Sequence, residues 1–97
     1  MKQKKRIAII GSTGSIGKQA LDVISQHDDI LSAEVLTANS SWEELVRQAL
    51  KIKPNCVVIA NKDYYSDVKQ ALKDTDTKVF AGSESITDVV QLDCVDV

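Results

Sequence analysis

Three glycines constrain the fold of this chain more than any other feature of its sequence. Gly11, Gly14 and Gly17 directly follow an apolar run at residues 6–10 and open a segment whose apolar residues recur with helical spacing. A strand, a glycine turn and a helix in that order are typical of a dinucleotide-binding unit. There the first glycine permits a tight bend, the second lets backbone N–H groups approach a pyrophosphate, and the third lets the helix pack closely. The alternative is a turn that only reverses the chain.

The chemistry of this turn favours an anion. A helix N-terminus presents unpaired N–H groups and about half a positive charge, so phosphate is favoured there without a basic side chain. The hydroxyls of Ser12, Thr13 and Ser15 add donors that suit phosphate oxygens. A nucleotide-hydrolysing P-loop is disfavoured, because Gln19 follows Lys18 where such a loop has Ser or Thr to hold magnesium.

Strand and helix patterns alternate along the rest of the chain. Ser41 and Glu44 have the spacing of a capping box at the start of the second helix, and Pro54 should end that helix near Lys53. A further helix is expected near Ser85. Apolar runs that predict further strands occupy residues 33–38, 56–60, 78–81 and 94–97.

This alternation predicts the fold class. We expect an α/β protein with a Rossmann-like, doubly wound parallel sheet of strand order 3-2-1-4-5 and helices on both faces. The last predicted strand, at residues 94–97, has no helix after it, which is a poor end for a parallel sheet that buries both faces. We therefore expect residues 1–97 to be the N-terminal domain of a longer protein.

Composition argues against several classes of function. The chain has 12 Lys and Arg against 14 Asp and Glu, without a basic stripe, so we expect no nucleic-acid partner. No run approaches the roughly 18 apolar residues of a membrane span, and no secretory signal is evident, so we expect no membrane association. Cys56, Cys94 and the lone His27 form no metal or redox motif. Buried thiols fit a reducing, cytoplasmic location.

The turn after the second strand indicates which dinucleotide is bound. NAD-binding folds usually place Asp or Glu there, about 20 residues beyond the glycines, to hold the ribose 2′-hydroxyl. This chain has Ala38, Asn39, Ser40 and Ser41 and no acid. Amide and hydroxyl groups beside a helix N-terminus suit a 2′-phosphate, so NADP is favoured over NAD. Turn chemistry for Asn39 and Ser40, with Ser41 as a helix cap, is compatible with that role.

Two neighbours of this turn have alternative roles. The indole of Trp42 could flank an adenosine, but packing of the helix against the sheet is favoured. Asn61 follows the third strand, near the expected adenine, but Asn before a helix commonly serves as a cap. We expect both residues to be structural.

Residues 9–17, Ile-Ile-Gly-Ser-Thr-Gly-Ser-Ile-Gly, with Leu-Asp-Val-Ile at 21–24, resemble the opening of the 1-deoxy-D-xylulose 5-phosphate reductoisomerases. These are NADPH-dependent enzymes of the non-mevalonate isoprenoid pathway. The resemblance covers the whole chain but only an N-terminal fraction of the family's length. It continues through residues 36–41, 45–50, 53–54, 57–59 and 79–82.

The resemblance implies which residues bind NADPH. Residues 13–16 would contact the pyrophosphate and the nicotinamide half, and residues 39–41 would form the 2′-phosphate turn. Many members have Gly-Lys-Asn or Gly-Arg-Asn where this chain has residues 39–41, which implies weaker discrimination against NADH. The full set of implied cofactor-binding residues is Gly11, Ser12, Thr13, Gly14, Ser15, Ile16, Gly17, Ala38, Asn39, Ser40 and Ser41.

The resemblance also implies a reaction for the full-length enzyme. The family rearranges and reduces 1-deoxy-D-xylulose 5-phosphate to 2-C-methyl-D-erythritol 4-phosphate, using NADPH and a divalent metal, Mg or Mn, held by an acidic cluster. No residue of this chain matches the family's catalytic or metal-binding residues, so we expect cofactor binding without turnover. A phosphosugar substrate bound by the rest of the enzyme and a homodimer of the full-length protein are further implications.

Two other functions stay open from the sequence. Other reductases with a similar glycine turn, such as dihydrodipicolinate reductases and short-chain dehydrogenases, are one alternative. A stand-alone nucleotide-binding module is the second. An acidic cluster after residue 97 would favour the reductoisomerase.

Overall fold

The computed structural model describes residues 5–82, in which strands and helices alternate as the sequence predicts. The helix expected near Ser85 and the strand expected at residues 94–97 lie outside the described residues. The elements are β1 (Lys5–Ile9), α1 (Ser15–Gln26), β2 (Leu31–Ala38), α2 (Trp42–Ile52), β3 (Cys56–Ile59), a 3₁₀ turn (Lys62–Tyr64), α3 (Tyr65–Ala71) and β4 (Lys78–Ala81).

All four described strands belong to one parallel sheet, which confirms the Rossmann-like fold class. Their order, β1-β2-β3-β4, corrects the predicted position of the fourth strand. In the order 3-2-1-4-5, β4 would lie beside β1, whereas Val79 of β4 is in register with Val57 of β3. The register of β1 on β2 shifts between Ile7 and Ala8, which marks an irregularity in that pair.

Burial of α3 explains the position of β4. Val68 and Leu72 pack into the same core cluster as Leu45 of α2. Since crossovers between parallel strands are right-handed, a connection that stays on this face delivers the next strand to the far side of β3. A strand beside β1 would require the connection to reverse direction and cross the other face.

The main core lies between the sheet and all three described helices. Helices on both faces were expected, but within residues 5–82 every α-helix contributes to this one cluster. The opposite face of the sheet carries a smaller cluster made by strand residues alone: Val35, Cys56 and Val58, with Ala8 against them. The main cluster comprises Ile9, Leu21, Ile24, Ala33, Leu36, Ala38, Leu45, Val46, Ala49, Val57, Ile59, Val68, Leu72 and Val79.

The structure confirms two predictions made from the sequence, the end of α2 near Lys53 and the burial of Cys56. The helix α2 ends where Pro54 requires, and Lys53 closes it in a left-handed conformation with φ of 58°. The Cys56 side chain is fully buried in the smaller cluster. In the described part of the chain no helix has the length and apolarity to cross a bilayer, and no three His, Cys, Asp or Glu side chains are grouped to hold a metal.

Two leucines of α2 differ in burial, so we expect alanine substitutions at these positions to destabilise the protein to different extents. Leu45 is fully buried, whereas Leu50 is 49% exposed. We expect Leu45→Ala to lower the free energy of unfolding by about 2–5 kcal/mol. Leu50→Ala should change it by less than about 0.5 kcal/mol. Urea unfolding followed by circular dichroism measures both, and equal losses would contradict the orientation of α2.

Candidate nucleotide site

The glycine turn is tied to the end of β2 by backbone contacts. The Gly11 N–H donates to Thr37 Oγ1 at 2.8 Å, and the Ser12 N–H donates to the Thr37 carbonyl at 2.8 Å. Because Thr37 lies two residues before Asn39, these bonds bring the glycine turn and the turn at residues 39–41 to the same edge of the sheet. The sequence placed both turns in one site, and the structure brings them together.

The three glycines of the turn meet three different requirements. Gly11 has φ of 75°, a left-handed conformation that glycine adopts without strain. A Cβ on Gly17 would lie 2.2 Å from the Gly11 carbonyl oxygen, so only glycine lets α1 pack against the turn. Gly14 has φ of −79°, and its Cβ would meet nothing closer than 3.5 Å. The fold therefore requires glycine at positions 11 and 17 but not at 14.

The N-terminus of α1 is open toward a ligand. Gly14 is its N-cap and supplies no side-chain hydrogen bond. The first N–H groups of a helix have no intrahelical partner, so those that follow Gly14 are available to an anion. Ser15 and Ile16 are exposed, and Ile16 is 83% exposed despite its apolar side chain.

Beside this N-terminus lies an open apolar groove of about 850 Å³. It runs between β1 and α1, starts at the glycine turn and continues past Val23, which is half exposed. Its walls include Ile7, Ile10 and Ile16. The groove can receive an uncharged ring next to a site for phosphate.

Ser12 does not present its hydroxyl to this opening. Its side chain is fully buried, and Oγ donates to Gln48 Oε1 at 2.7 Å. Gln48 Nε2 in turn donates to the Ser12 carbonyl at 2.9 Å. The expected role of Ser12 as a hydroxyl donor to phosphate therefore does not fit its place in the structure, because the hydroxyl is used in the interior. Ser12 instead holds the glycine turn through hydrogen bonds in the protein interior.

Gln48 is the functional candidate that the sequence interpretation missed. It is buried on the apolar face of α2, next to Ala49 and one turn from Leu45. The signal available in the sequence was this polar residue on an otherwise apolar helical face. The sequence could not reveal its partner, because Ser12 is 36 residues away.

The turn after β2 is held from β3 by Asn61. The Asn61 N–H donates to the Asn39 carbonyl at 2.9 Å, and Nδ2 contacts Ser40 Oγ at 3.2 Å. Asn61 Oδ1 also accepts from the Asp63 N–H and caps the 3₁₀ turn, as expected for a structural residue. Residues 39–41 are exposed, whereas the Ala38 side chain is buried in the core.

The predicted capping box at the start of α2 is wrong. Ser41 is the N-cap, but its side chain makes no capping hydrogen bond. Glu44 forms an ion pair with Arg47 one turn later in the helix, which diverts it from Ser41. The Ser41 hydroxyl is therefore not used as a cap, and the first N–H of α2, that of Trp42, donates to the Ser40 carbonyl at 2.8 Å.

Two further features surround this second turn. Trp42 packs on the core and stacks on Tyr64, with ring centroids 6.3 Å apart, which supports the structural role expected for its indole. The first turn of α2 carries Glu43 and Glu44, and residues 39–41 include no cation. The local charge therefore does not favour a 2′-phosphate, and hydroxyl, amide and N–H groups are the available donors.

Comparison with known proteins decides the family. A model of the 1-deoxy-D-xylulose 5-phosphate reductoisomerase family matches residues 7–97. The chain belongs to the 1-deoxy-D-xylulose 5-phosphate reductoisomerase family. Family membership removes the other reductase classes, and nothing in these comparisons supports a stand-alone nucleotide module.

Relatives in this family align along almost the whole chain. The reductoisomerase of Bacteroides thetaiotaomicron is 50% identical over 94 residues, which is 97% of this chain and 24% of the relative. That of Phocaeicola vulgatus is 48% identical over 94 residues, 97% of this chain and 25% of the relative. The chain thus spans about a quarter of the length of these curated relatives.

Solved structures of the family share the fold. The Zymomonas mobilis reductoisomerase in complex with NADPH superposes with a TM-score of 0.89 at 29% identity, covering 95% of this chain and 24% of that one. A DOX-P reductoisomerase in complex with NADPH, fosmidomycin and magnesium gives a TM-score of 0.89 at 30% identity, covering 95% and 23%.

The glycine geometry predicts different effects of one substitution at two positions. Gly17→Ala forces Cβ against the Gly11 carbonyl, so we expect the free energy of unfolding to fall by about 1–3 kcal/mol or more. Gly14→Ala should change it by less than about 0.5 kcal/mol, since a weaker N-cap is offset by a less flexible unfolded chain. Thermal unfolding of both variants checks this, and an equal loss at the two positions would contradict it.

Proposed function

We propose that this chain binds NADPH and that residues 1–97 form the N-terminal NADP-binding domain of a 1-deoxy-D-xylulose 5-phosphate reductoisomerase. The observation that carries the proposal is Gly14. The fold leaves room for a side chain there, yet the residue at the opening of α1 is glycine. A bare backbone at this point is what a closely approaching pyrophosphate requires.

The pyrophosphate lies at the N-terminus of α1 in this proposal. The backbone of residues 13–16 contacts it, and the hydroxyls of Thr13 and Ser15 add donors. Gly11 and Gly17 act by shaping the turn, and Ser12 acts from the interior.

The two ends of NADPH extend from the glycine turn in opposite directions. The nicotinamide half follows the apolar groove and contacts Ile16, whose side chain is 83% exposed. The adenosine half lies at the ends of β2 and β3, with its 2′-phosphate at Asn39, Ser40 and Ser41. Ala38 contributes only its backbone, because its side chain is buried.

The proposal extends to the full-length protein through the family. That enzyme rearranges and reduces 1-deoxy-D-xylulose 5-phosphate to 2-C-methyl-D-erythritol 4-phosphate, with NADPH as the hydride donor and Mg or Mn as the metal. The phosphosugar and the metal bind outside this chain, the full-length enzyme is a cytoplasmic homodimer, and the chain alone binds cofactor without turnover.

A titration with NADPH tests the proposal directly. Trp42 is the one tryptophan of the sequence and borders the adenosine end of the site, so its fluorescence should change on binding. NADPH at 100 times its dissociation constant should raise the free energy of unfolding by about 2.7 kcal/mol. Gly14→Ala should weaken binding about tenfold or more, because the added methyl group overpacks the contact with pyrophosphate.

The control for this titration is Ser25→Ala, an exposed position in the last turns of the same helix. It should bind NADPH as the unmodified chain does. Absence of saturable binding to the unmodified chain, or full affinity in Gly14→Ala, would contradict the proposal.

The turn at residues 39–41 has no charged side chain. We therefore expect a single substitution there to increase the preference for NADPH over NADH. Ser40→Lys places an ammonium group where the turn has only a hydroxyl, and hydrogen bonds from charged donors contribute about 1.5–3 kcal/mol against roughly 0.5–1.5 for neutral ones. We expect the NADPH affinity to rise several-fold while the NADH affinity stays unchanged. Paired titrations with the two cofactors measure this. An equal gain for both would show that the lysine does not meet the 2′-phosphate.

A further inference from the structure

We infer that Gln48 is a positioning residue for the cofactor, which acts through the Ser12 carbonyl to aim the backbone N–H of Thr13 at the phosphate site. The inference rests on the proposed NADPH function and adds a residue of α2 to it. The side-chain amide of Gln48 is buried and forms no part of the exposed surface of the site.

The two hydrogen bonds of the Gln48 amide both go to one residue. Oε1 accepts from Ser12 Oγ at 2.7 Å, and Nε2 donates to the Ser12 carbonyl at 2.9 Å. Ser12 is fully buried and Gln48 is 8% exposed, so water does not compete strongly for either bond. Two bonds to the same residue fix both its position and the rotation of its carbonyl.

The carbonyl of Ser12 and the N–H of Thr13 belong to one planar peptide. In a trans peptide these two groups point in opposite directions. Because Nε2 of Gln48 holds the carbonyl toward α2, the Thr13 N–H is turned away from α2. The peptide before Ser12 is held separately, because the Ser12 N–H donates to the Thr37 carbonyl. Both peptides that flank Ser12 are therefore fixed by hydrogen bonds.

Packing alone does not explain a glutamine at this position. The neighbouring buried residues of α2 are Leu45, Val46 and Ala49, and an apolar side chain there would fill the same space. A buried amide is costly unless its hydrogen bonds are made, and here both bonds go to Ser12 of the glycine turn; apolar replacement is nearly neutral only where both bonded partners are replaced. The amide therefore supplies a directed bond to the turn.

Two substitutions of Gln48 separate the effect of its hydrogen bonds to Ser12 from the effect of its packing volume. Gln48→Met keeps the approximate volume and removes both hydrogen bonds. Gln48→Glu, measured at a pH high enough to ionise its buried carboxyl, keeps an acceptor for Ser12 Oγ but replaces the donor to the Ser12 carbonyl by an oxygen; the protonated form would still donate to that carbonyl. The matched control is Gln70→Met, the same chemical change at an exposed position of α3.

The dissociation constants of NADPH and NADH are measured by Trp42 fluorescence at a temperature where unfolding curves show each variant to be folded. We expect both Gln48 variants to bind the two cofactors about tenfold more weakly, by analogy with the low end of what loss of an orienting partner costs at metal sites. The factor should be the same for both cofactors, because both carry the pyrophosphate. Gln70→Met should change neither constant.

Amide NMR signals of the ligand-free chain provide a readout that does not depend on binding. The Thr13 and Gly14 signals should shift in both Gln48 variants and stay in place in Gln70→Met. Unchanged Thr13 and Gly14 signals, or unchanged cofactor affinity, in a folded Gln48→Glu would overturn the inference. If Gln48→Met does not fold, Gln48→Glu decides alone. An unmodified chain that binds neither cofactor would reject the proposed function, and the amide signals would still decide whether Gln48 orients the turn.

Discussion

The contact between Gly17 and the Gly11 carbonyl is the constraint on which the site depends. A side chain at position 17 would have its Cβ 2.2 Å from that oxygen, so the start of α1 reaches the end of β1 only through glycine. This approach places the first N–H groups of α1 directly above the edge of the sheet. The helix N-terminus, which favours anions by its partial positive charge, is thereby aimed at the place where the strands end.

Hydrogen bonds from neighbouring elements complete this arrangement. Thr37 on β2 holds the amides of Gly11 and Ser12, and Gln48 on α2 holds the carbonyl and hydroxyl of Ser12. No buried side-chain polar atom in the described part of the chain lacks a hydrogen-bond partner. Since unmade bonds in the interior are costly, such a network specifies one conformation of the turn. The exposed surface of the candidate site is thus held in place by the buried residues Ser12, Thr37 and Gln48.

The proposed adenosine end of the site is built differently. Asn61 holds the turn from β3, and exposed polar groups at residues 39–41 face outward without a cation. Glu43 and Glu44 lie in the first turn of α2. In the proposed complex, recognition of a 2′-phosphate at residues 39–41 depends on neutral donors and the helix N-terminus, which are weaker than a lysine or arginine.

The sequence by itself determined the alternation of strands and helices, the end of α2 at Pro54, and the glycine turn that opens α1. These features follow from periodicity and backbone chemistry over a few residues, which a single segment carries. Tertiary structure decided the place of β4 beside β3, because burial of Val68 and Leu72 selects the face that the connection follows. It also turned Ser12 inward and joined it to Gln48. Such pairings depend on residues far apart in sequence, and only packing brings those residues within reach of a hydrogen bond.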